Sequence, residues 1–246
     1  MKQPGYSELK RRVLRLVFNH RMIEPGGVLA VGASGGKDST FMIHLLNELK
    51  EKIRWDYSIV AYRVVDKHSP CHNTSDIDEF SSWCESLEVP LKLIAPPAPE
   101  NVEDENLSEC FKCAWRRKEV LFRQIHADGI RTLALGHTAF DLAVTALMNM
   151  TFHGNLETMP PVMEFFKGEI KVIRPISVIT ERQVIRLHKR FNLPKPPPAC
   201  QTNIGLARFN AENRMRDMLK ENPHALYNVM KAARRWPSDI MNDQLS

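Results

Sequence analysis

A glycine-rich segment between an apolar run and a helical pattern is the strongest constraint in this sequence. Val28–Val31 predicts a short buried strand, and residues 40–49 have the periodicity of a helix. The intervening loop reads Ser34-Gly35-Gly36-Lys37-Asp38-Ser39. Two glycines allow a tight turn that aims backbone N–H groups at an anion, and the start of a helix adds unpaired donors. The segment therefore predicts a strand–loop–helix unit that binds a chain of phosphates.

Side chains in this loop support the phosphate prediction. Lys37 supplies a positive charge, and Ser34 and Ser39 supply hydroxyl donors. The spacing is not the Walker A pattern, which needs four residues between its first glycine and Gly-Lys. The loop resembles the PP-loop of ATP pyrophosphatases, which cleave ATP to AMP and pyrophosphate. The alternative interpretation is an ordinary strand-to-helix turn.

Strand and helix patterns alternate along most of the chain, which is typical of βαβ units. Further strands are predicted at 57–65, 91–94 and 132–135, with two short strands around Lys167-Gly168. Helices are predicted at 7–21, 76–87, 113–127, 141–150 and 180–191, followed by C-terminal helical pieces broken at Pro223. Loops are expected at 95–109, 151–161 and 194–198. The expected fold is α/β and Rossmann-like (adenine nucleotide alpha hydrolase-like): a mostly parallel sheet with helices on both faces and short helical additions at both termini.

We expect one domain over residues 1–246, because this length suits one sizeable core. Residues 1–24 would form an N-terminal helix, residues 25–193 the nucleotide-binding core, and residues 194–246 a cysteine-bearing loop with C-terminal helices. Parallel sheets bind ligands beyond the carboxyl ends of their strands. The glycine-rich loop is therefore expected to share that edge with Asp66 and with Gly136 and His137.

Composition narrows the functional classes only broadly. Hydrophobic residues make up 43% of the chain, no apolar run approaches the ~20 residues of a membrane span, and the first residues lack a secretory apolar region. A cytoplasmic protein without membrane contact is the default expectation. The formal net charge of +5 favours a polyanionic partner. Clusters of basic residues offer either RNA backbone contacts or ordinary helix surface: Lys10-Arg11-Arg12 with Arg15, Arg116-Arg117-Lys118, Arg182 with Arg186, Lys189-Arg190 and Arg234-Arg235.

Three of the five cysteines are candidates for chemistry. Cys110-Phe111-Lys112-Cys113 is a C-x-x-C pair that can direct two thiols at one metal or cluster. A redox pair, half of a zinc site and two structural cysteines are the alternatives. Cys200 follows a proline-rich extended stretch that can bring a third thiol to the same place.

The other two cysteines suit less specific roles. Cys84 lies within a predicted helix and is expected in the core. Cys71 lies near His68 and His72, which fits either a metal cluster or a polar loop with incidental histidines. An odd cysteine count in a chain without a signal argues against a disulfide framework.

The motifs in combination resemble the tRNA 2-thiocytidine synthetase (TtcA) family over nearly the whole chain. The resemblance depends on the glycine-rich loop, on the C-x-x-C pair followed by Arg116-Arg117, and on the late Cys200. Shorter segments also match: residues 19–24, Ala134-Leu135-Gly136-His137, residues 147–150, Met159-Pro160-Pro161 and residues 172–176.

This resemblance implies an activity and a set of partners. Members of the family use ATP, magnesium and a three-cysteine [4Fe-4S] cluster to place sulfur on C2 of cytidine 32 in tRNA, and they are typically homodimers. The implied partners are tRNA and a sulfur donor, either a cysteine desulfurase or sulfide. Cys110, Cys113 and Cys200 match the cluster positions, and residues 33–39 match the ATP site.

Two segments depart from the family pattern. The family has Gly-His-His-x-Asp-Asp where this chain has Gly136-His137-Thr138-Ala139-Phe140-Asp141, so Phe140 replaces a carboxylate. The family also has Cys-x-x-Cys-Gly-Ser where this chain has Cys200-Gln201-Thr202. Both departures indicate a divergent subgroup.

The resemblance and the chemistry together define an expected site. ATP contacts are expected from Ala33, Ser34, Gly35, Gly36, Lys37, Asp38, Ser39, Gly136 and His137. Catalytic roles are expected for Cys110, Cys113, Cys200, Asp38, Arg117 and Asp141. Asp38 would hold magnesium or shape the loop, with pairing to the helix dipole as the alternative. Arg117 would stabilise charge at the nucleotide, with a solvated surface or a tRNA phosphate contact as the alternatives.

Other functions remain compatible with the sequence alone. The same chemistry could act on another nucleoside or a small substrate. Lysidine-type amination also uses a PP-loop, although it needs no thiol. An ATP-binding, cluster-carrying regulator without catalysis is the alternative outside enzymes.

Overall fold

The computed structural model describes residues 5–53, 56–69, 74–97, 109–197 and 206–233. Its sheet has six strands in the order β3-β2-β1-β4-β6-β5. All neighbouring pairs are parallel except β5 and β6, which are antiparallel. The strands are β1 Val28–Gly32, β2 Ser58–Val64, β3 Leu91–Ile94, β4 Thr132–Ala134, β5 Val162–Phe165 and β6 Ile170–Ile173.

Helices connect the strands, as the alternating pattern predicts. They are α1 Tyr6–Asn19, α2 Lys37–Ile53, α3 Ile77–Ser86, α4 Glu109–Ala127, α5 Ala139–His153, α6 Glu181–Arg190, α7 Leu206–Glu221 and α8 Ala225–Ala232. A short 3-10 turn at Phe166–Gly168 joins β5 to β6. Within the described ranges, no helix is both long enough and apolar enough to span a membrane.

Apolar side chains form one cluster on each face of the sheet. In β1, Leu29 and Val31 belong to the larger cluster, whereas Ala30 belongs to the smaller one, as the two-residue period of a strand requires. The larger cluster includes buried residues of α1, α2, α5 and α6, and the smaller includes Phe122 and Ile125 of α4. The predicted Rossmann-like α/β fold with helices on both faces is therefore confirmed.

Several helices start earlier or run longer than the sequence patterns predict. Helix α2 begins at Lys37 instead of residue 40, so half of the glycine-rich segment is already helical. Helix α4 begins at Glu109 instead of residue 113, which places the C-x-x-C pair within its first turns. The prediction of a loop from residue 151 is wrong for its first three residues. Helix α5 continues to His153, where Gly154 in the left-handed region (φ 65°) ends it.

The topology sets where ligands can bind. The strand order reverses at β1, which lies between β2 and β4. At such a switch point the loops after neighbouring strands diverge and leave a crevice at the carboxyl edge. The glycine-rich loop follows β1, and Gly136 and His137 follow β4, so both predicted elements flank this crevice.

Candidate nucleotide and cysteine site

The glycine-rich loop is organised by hydrogen bonds among its own residues. The backbone N–H of Gly36 donates to Ser34 Oγ at 3.2 Å, and the Ser39 hydroxyl donates to the Gly36 carbonyl at 3.0 Å. The two serine oxygens lie 3.1 Å apart. These contacts orient the start of α2 as an anion-binding turn, in which the backbone supplies most donors.

Gly35 is required both by its backbone conformation and by its surroundings. Its φ is +78°, and an added Cβ would lie 2.8 Å from Asp76 Oδ2 and 3.0 Å from Arg63 Nη1. Asp76 and Arg63 form a buried bidentate pair, with Nη1 donating to Oδ2 at 2.9 Å and Nη2 donating to Oδ1 at 2.7 Å. This pair packs directly against the loop at Gly35. It was not predicted from sequence, because no local pattern links β2 to the residue before α3.

Lys37 and Asp38 at the start of α2 form an ion pair, with Nζ and Oδ2 3.0 Å apart. Glu181 at the start of α6 adds a second carboxylate 3.2 Å from Lys37 Nζ. Burial raises the pKa of Asp38, an effect that the charge of Lys37 only partly offsets. Asp38 Oδ1 is buried and has no hydrogen-bond partner among the described residues. Glu181 is a site residue that sequence analysis missed.

The loop after β4 packs directly on the phosphate loop. A Cβ at Gly136 would lie 3.1 Å from the backbone nitrogen of Ser39, which is tighter than an ordinary contact, so glycine favours this close approach. Burial and the positive charge of Arg174 lower the pKa of His137 to about 4, and the imidazole is therefore neutral at physiological pH. Its Nδ1 has no hydrogen-bond partner among the described residues.

Arg174 is a second residue that sequence analysis did not assign to the site. It follows β6, is 5% exposed, and donates from Nη1 to the Pro160 carbonyl at 2.7 Å. Burial lowers its pKa to about 10, so the guanidinium stays charged at neutral pH. Its Nε lacks a partner among the described residues, which leaves one donor of a buried cation available at the ligand edge.

Asp141 is fully engaged in contacts that hold α5 and α7 together. Its Oδ2 accepts from the backbone N–H of Thr138 at 2.9 Å and from the Thr138 hydroxyl at 2.8 Å. Its Oδ1 accepts from Arg208 of α7 at 2.8 Å. This arrangement gives Asp141 a helix-capping role at the edge of the site, and its predicted catalytic role remains a prediction.

Phe140, which replaces the family carboxylate, is covered by a cation from α7. The guanidinium carbon of Arg216 lies 4.7 Å from the centre of the Phe140 ring, within the range of a cation–π contact. Arg216 also donates to Glu181 at 3.0 Å. Helix α7 therefore contacts the phosphate loop indirectly, through Glu181 and Lys37.

Cys113 lies beside the carboxyl end of β2. It is 5% exposed, and its Sγ lies 3.1 Å from the Ser69 hydroxyl. Asp66 in the same segment accepts from Arg116 Nε at 3.0 Å, and that arginine lies one helical turn beyond the cysteine. A buried thiol within hydrogen-bond distance of a hydroxyl, one turn before the Arg116–Asp66 pair, is placed to act as a metal ligand or a nucleophile.

The structure describes only some of the remaining cysteines, histidines and arginines that were predicted as site residues. Cys110 is placed by α4 one turn before Cys113, but its side chain lies outside the description, as do Cys200 and Cys71. His68 is exposed. Arg117 is exposed on α4, four residues after Cys113 and thus on the same helical face. Cys84 is fully buried, as predicted for a core residue.

Lys10 fits neither of the two interpretations given for the first basic cluster, an RNA backbone contact or ordinary helix surface. Lys10, part of the first basic cluster, is 8% exposed and forms an ion pair with Glu48 of α2. Its aliphatic stem lies with the buried face of α1, so its charge is committed within the protein.

The described residues fit the cofactors that the motifs imply. Magnesium in phosphate-transfer sites is held by one or two carboxylates together with substrate phosphates, and the orphaned Oδ1 of Asp38 meets that requirement. Cys113 offers a buried thiol in a C-x-x-C pair, which suits a cluster ligand. No group of three or more His, Cys, Asp or Glu side chains gathers into a metal site within the described ranges, from which Cys200 and the Cys110 side chain are missing.

The fold and the loop define a nucleotide-binding α/β protein whose phosphate site follows the first strand of the sheet. Comparison with protein families agrees, because the model of the PP-loop domain family (ATP_bind_3) matches residues 6–194. The chain belongs to this PP-loop family.

Relatives of known function cover nearly the whole chain. A tRNA-cytidine(32) 2-sulfurtransferase from Bdellovibrio bacteriovorus is 28% identical over 242 residues, covering 97% of this chain and 92% of the relative. An enzyme of the same name from Coxiella burnetii is 27% identical over 238 residues, covering 95% and 91%. These relatives confirm the resemblance to the 2-thiocytidine synthetase family.

A solved structure confirms the fold. The U34-tRNA thiolase NcsA from Methanococcus maripaludis, determined with its [4Fe-4S] cluster, superposes with a TM-score of 0.74 at 24% sequence identity. The match covers 91% of this chain and 76% of the thiolase.

Proposed function

We propose that this chain is an ATP-dependent tRNA sulfurtransferase that acts on the cytidine at position 32. It adenylates the O2 oxygen of this base and then replaces that oxygen, on C2, with sulfur. The relatives in Bdellovibrio and Coxiella carry this activity in their names and align over nearly the full chain. The thiolase NcsA, a structural neighbour, carries a [4Fe-4S] cluster.

The observation that carries the proposal is the proximity of a phosphate loop and a buried thiol at one sheet edge. Strand β2 links them: Arg63 in this strand supports Gly35 through Asp76, and Ser69 in the loop after it contacts Cys113. β1 and β2 are adjacent parallel strands, so the loops that follow them open at the same edge. An activated base and a sulfur carrier need this arrangement, because sulfur must attack the activated carbon before water hydrolyses the intermediate.

Activation is the task of the phosphate loop. The carbonyl oxygen of the base attacks the α-phosphorus of ATP, and pyrophosphate departs with the bonding electron pair. The N–H group of Gly35 and the charge of Lys37 stabilise the pyrophosphate as its charge develops, and the N–H group of Gly36 joins them by exchanging Ser34 Oγ for a phosphate oxygen. Asp38 would hold magnesium on the phosphates, and magnesium would neutralise their charge. Gly136 keeps the loop after β4 against this turn, and His137 in the same loop is neutral and adds no charge there.

Sulfur transfer is the task of the cysteines. Cys110, Cys113 and Cys200 would hold the [4Fe-4S] cluster, and the cluster would supply an iron able to bind sulfide. Sulfur then bonds to C2, and the C2–O2 bond breaks with AMP as the leaving group. Arg117, which is exposed on the same helix as Cys113, would balance the negative charge of the departing AMP.

Deletion of the gene in its host, followed by mass spectrometry of nucleosides from bulk tRNA, tests this proposal. We expect loss of 2-thiocytidine, restored by the intact gene and by Cys84→Ala but not by Cys113→Ala. Cys84 is the matched control, because it is also buried but lies in α3 within the core, where burial raises its pKa to about 11.

Each alternative function predicts a different result. Loss of another thionucleoside would keep the chemistry and change the substrate. An unchanged thionucleoside profile in a host without a redundant enzyme would contradict thiolation. The purified protein separates a regulator from an enzyme, because only an enzyme forms AMP from ATP in a tRNA-dependent manner. Iron and sulfide analysis after anaerobic purification distinguishes a cluster from zinc or a disulfide.

A further inference from the structure

Helix α4 carries exposed aromatic rings on the face that points away from Cys113. Phe111 is 51% exposed and Trp115 is 60% exposed. Their rings stack on each other, with centroids 6.4 Å apart and planes 17° apart. Their spacing of four residues places them on one helical face, whereas Cys113 lies between them in sequence and is turned inward.

A groove continues this aromatic face toward the β5–β6 hairpin. It has a volume of about 620 Å³ and is lined by Trp115 and Lys118 of α4 and by Phe122, Phe165 and Phe166. Phe166, which packs against Phe122 and Phe165, is 59% exposed. Lys118 Nζ lies 5.0 Å from the centre of the Phe165 ring, so the floor of the groove is apolar and its edge is cationic.

Cations accompany these rings, and Lys118 lines the groove itself. The segment from Phe111 to Lys118 contains four basic residues and no acidic residue; of the four, Arg116 is paired with Asp66 and Arg117 lies on the helical face of Cys113. Two acidic residues also line the groove: Glu119 forms an ion pair with Arg123 at 2.6 Å, and Glu169 lies 3.3 Å from His126. Rings alternating with cations are the arrangement by which proteins bind single-stranded nucleic acids, whose bases stack on the rings while their phosphates meet the cations.

We propose that this face of α4, defined by Phe111, Trp115, Lys118 and Phe166, is a base-stacking platform for a single-stranded loop of the RNA substrate. The proposal rests on the tRNA thiolation proposed above and adds the surface that recognises the loop. Two copies of the chain would bring like charges together here, so the charge favours RNA over self-association.

The position of the platform explains how it would serve the site. Phe111 and Cys113 lie within one turn of α4, and a helix with its side chains is about 10 Å across. A loop with bases stacked on Phe111 and Trp115 can therefore present a neighbouring nucleotide to the carboxyl edge of the sheet. Stacking is tolerant of sequence, so the platform would hold the loop while the site selects the base.

Binding of two fluorescein-labelled RNAs to the full chain, followed by anisotropy, tests the platform. One RNA is a hairpin with a single-stranded loop, and the other is a duplex with the same stem and no loop. We expect Trp115→Ala to weaken hairpin binding roughly ten-fold with little effect on the duplex, because one lost stacking contact has about that effect. Trp115→Phe should keep most of the affinity, because it keeps a ring.

Phe152→Ala is the matched control, because Phe152 is 57% exposed but lies at the end of α5. It should bind both RNAs as the unmodified protein does. Hairpin affinity unchanged in Trp115→Ala would overturn the platform. So would a shift of the Trp115→Ala protein from dimer to monomer with unchanged hairpin affinity, since the face would then be an interface between copies. Restoration of 2-thiocytidine by the Trp115→Ala gene with unchanged hairpin binding would overturn the platform alone and leave the proposed function intact.

Discussion

Lys37 of the phosphate loop lies between two carboxylates, 3.0 Å from Asp38 and 3.2 Å from Glu181 of the distant helix α6. Burial alone lowers the pKa of Lys37, but the charges and hydrogen bonds of Asp38 and Glu181 outweigh burial and raise it. The lysine is therefore held as a cation in a fixed position before ATP binds. Preorganised charge of this kind stabilises a transition state without reorganisation during the reaction.

Removal of that charge should slow catalysis more than it weakens the fold. We expect Lys37→Met to lower kcat for tRNA-dependent AMP formation on the order of 10²-fold, the usual effect of losing one preorganised charge-stabilising group. Lys92→Met is the control, because Lys92 also forms an ion pair, with Asp128 at 2.8 Å, but lies on the exposed strand β3. An unchanged kcat in Lys37→Met would remove Lys37 from the phosphoryl step.

Alanine substitutions at two glycines with the same backbone conformation distinguish steric contact of the new methyl group from backbone strain. Gly35 and Gly26 have φ of +78° and +74°, but only Gly35 has atoms within 4 Å of an added Cβ. Gly26→Ala should lower the free energy of unfolding by about 1–2 kcal/mol, the strain of a left-handed residue, and leave activity intact. Gly35→Ala should lose more stability and also lose ATP binding, because the new methyl group displaces the Arg63–Asp76 pair.

Urea denaturation and ATP titration of both variants provide the measurement. Equal losses of stability with ATP binding retained in both would contradict the close packing of Asp76 and Arg63 beneath the loop. Both measurements report stability and ATP binding, so neither depends on the catalytic step. The matching φ values of the two glycines make the strain of the left-handed conformation common to both variants.

The sequence predicted the framework of this site but only part of its chemistry. Strand–helix alternation and the glycine-rich loop have local signatures, and both were found where predicted. Glu181 could be predicted as the first residue of a capped helix. No local sequence pattern indicates that it forms an ion pair with Lys37, which is 144 residues earlier in the chain. Contacts of this kind arise from the order of strands in the sheet.

Lys10 and Arg174 show the same limit for buried cations. A lysine in a run of basic residues is expected at the surface, but the hydrophobic face of α1 carries Lys10 inward to Glu48. Arg174 follows an apolar strand and has no local feature that indicates burial. Its partner is the carbonyl of Pro160, which the antiparallel return of β5 brings beside β6.

The ionisation of Asp38 should make stability fall as pH rises. Burial raises the pKa of this carboxyl in the folded state, so the folded protein binds a proton more tightly than the unfolded chain does. The Asp38 contribution to stability is then greatest below the ordinary aspartate pKa and is lost as pH rises through the raised value. Without ATP and magnesium, Asp38→Asn should be more stable than the unmodified protein at neutral pH, and the difference should vanish in acid.

Asp141→Asn is the matched control for that experiment. Asp141 accepts three hydrogen bonds, from Thr138 and Arg208, so its replacement should destabilise the fold at neutral pH. Thermal unfolding over a range of pH values measures both variants. A loss of stability in Asp38→Asn at neutral pH would mean that the Lys37 pair outweighs burial, and AMP formation in that variant would report the separate role of the carboxylate with magnesium.

The fold should tolerate replacement of Phe140 by the carboxylate that the family has at this position. Arg216 lies 4.7 Å from the ring centre, in place to pair with an aspartate, and an acidic side chain in the first turn of α5 is favoured by the helix dipole. We expect Phe140→Asp to lower the free energy of unfolding by about 1–3 kcal/mol, since apolar burial is lost but the new charge gains a partner. Phe41→Asp places the same charge in the core at a fully buried residue of α2 and should cost about 4 kcal/mol or more.

Urea denaturation of these two variants, of Arg216→Ala and of the double variant Phe140→Asp/Arg216→Ala tests the role of the cation. The double variant should lose more stability than the sum of Phe140→Asp and Arg216→Ala, because the buried aspartate would then lack its counter-charge. Additive losses would show that Arg216 stabilises a carboxylate at position 140 no more than it stabilises the Phe140 ring. In that case the replacement of the family carboxylate by Phe140 and the position of α7 over the site would be independent features of this chain.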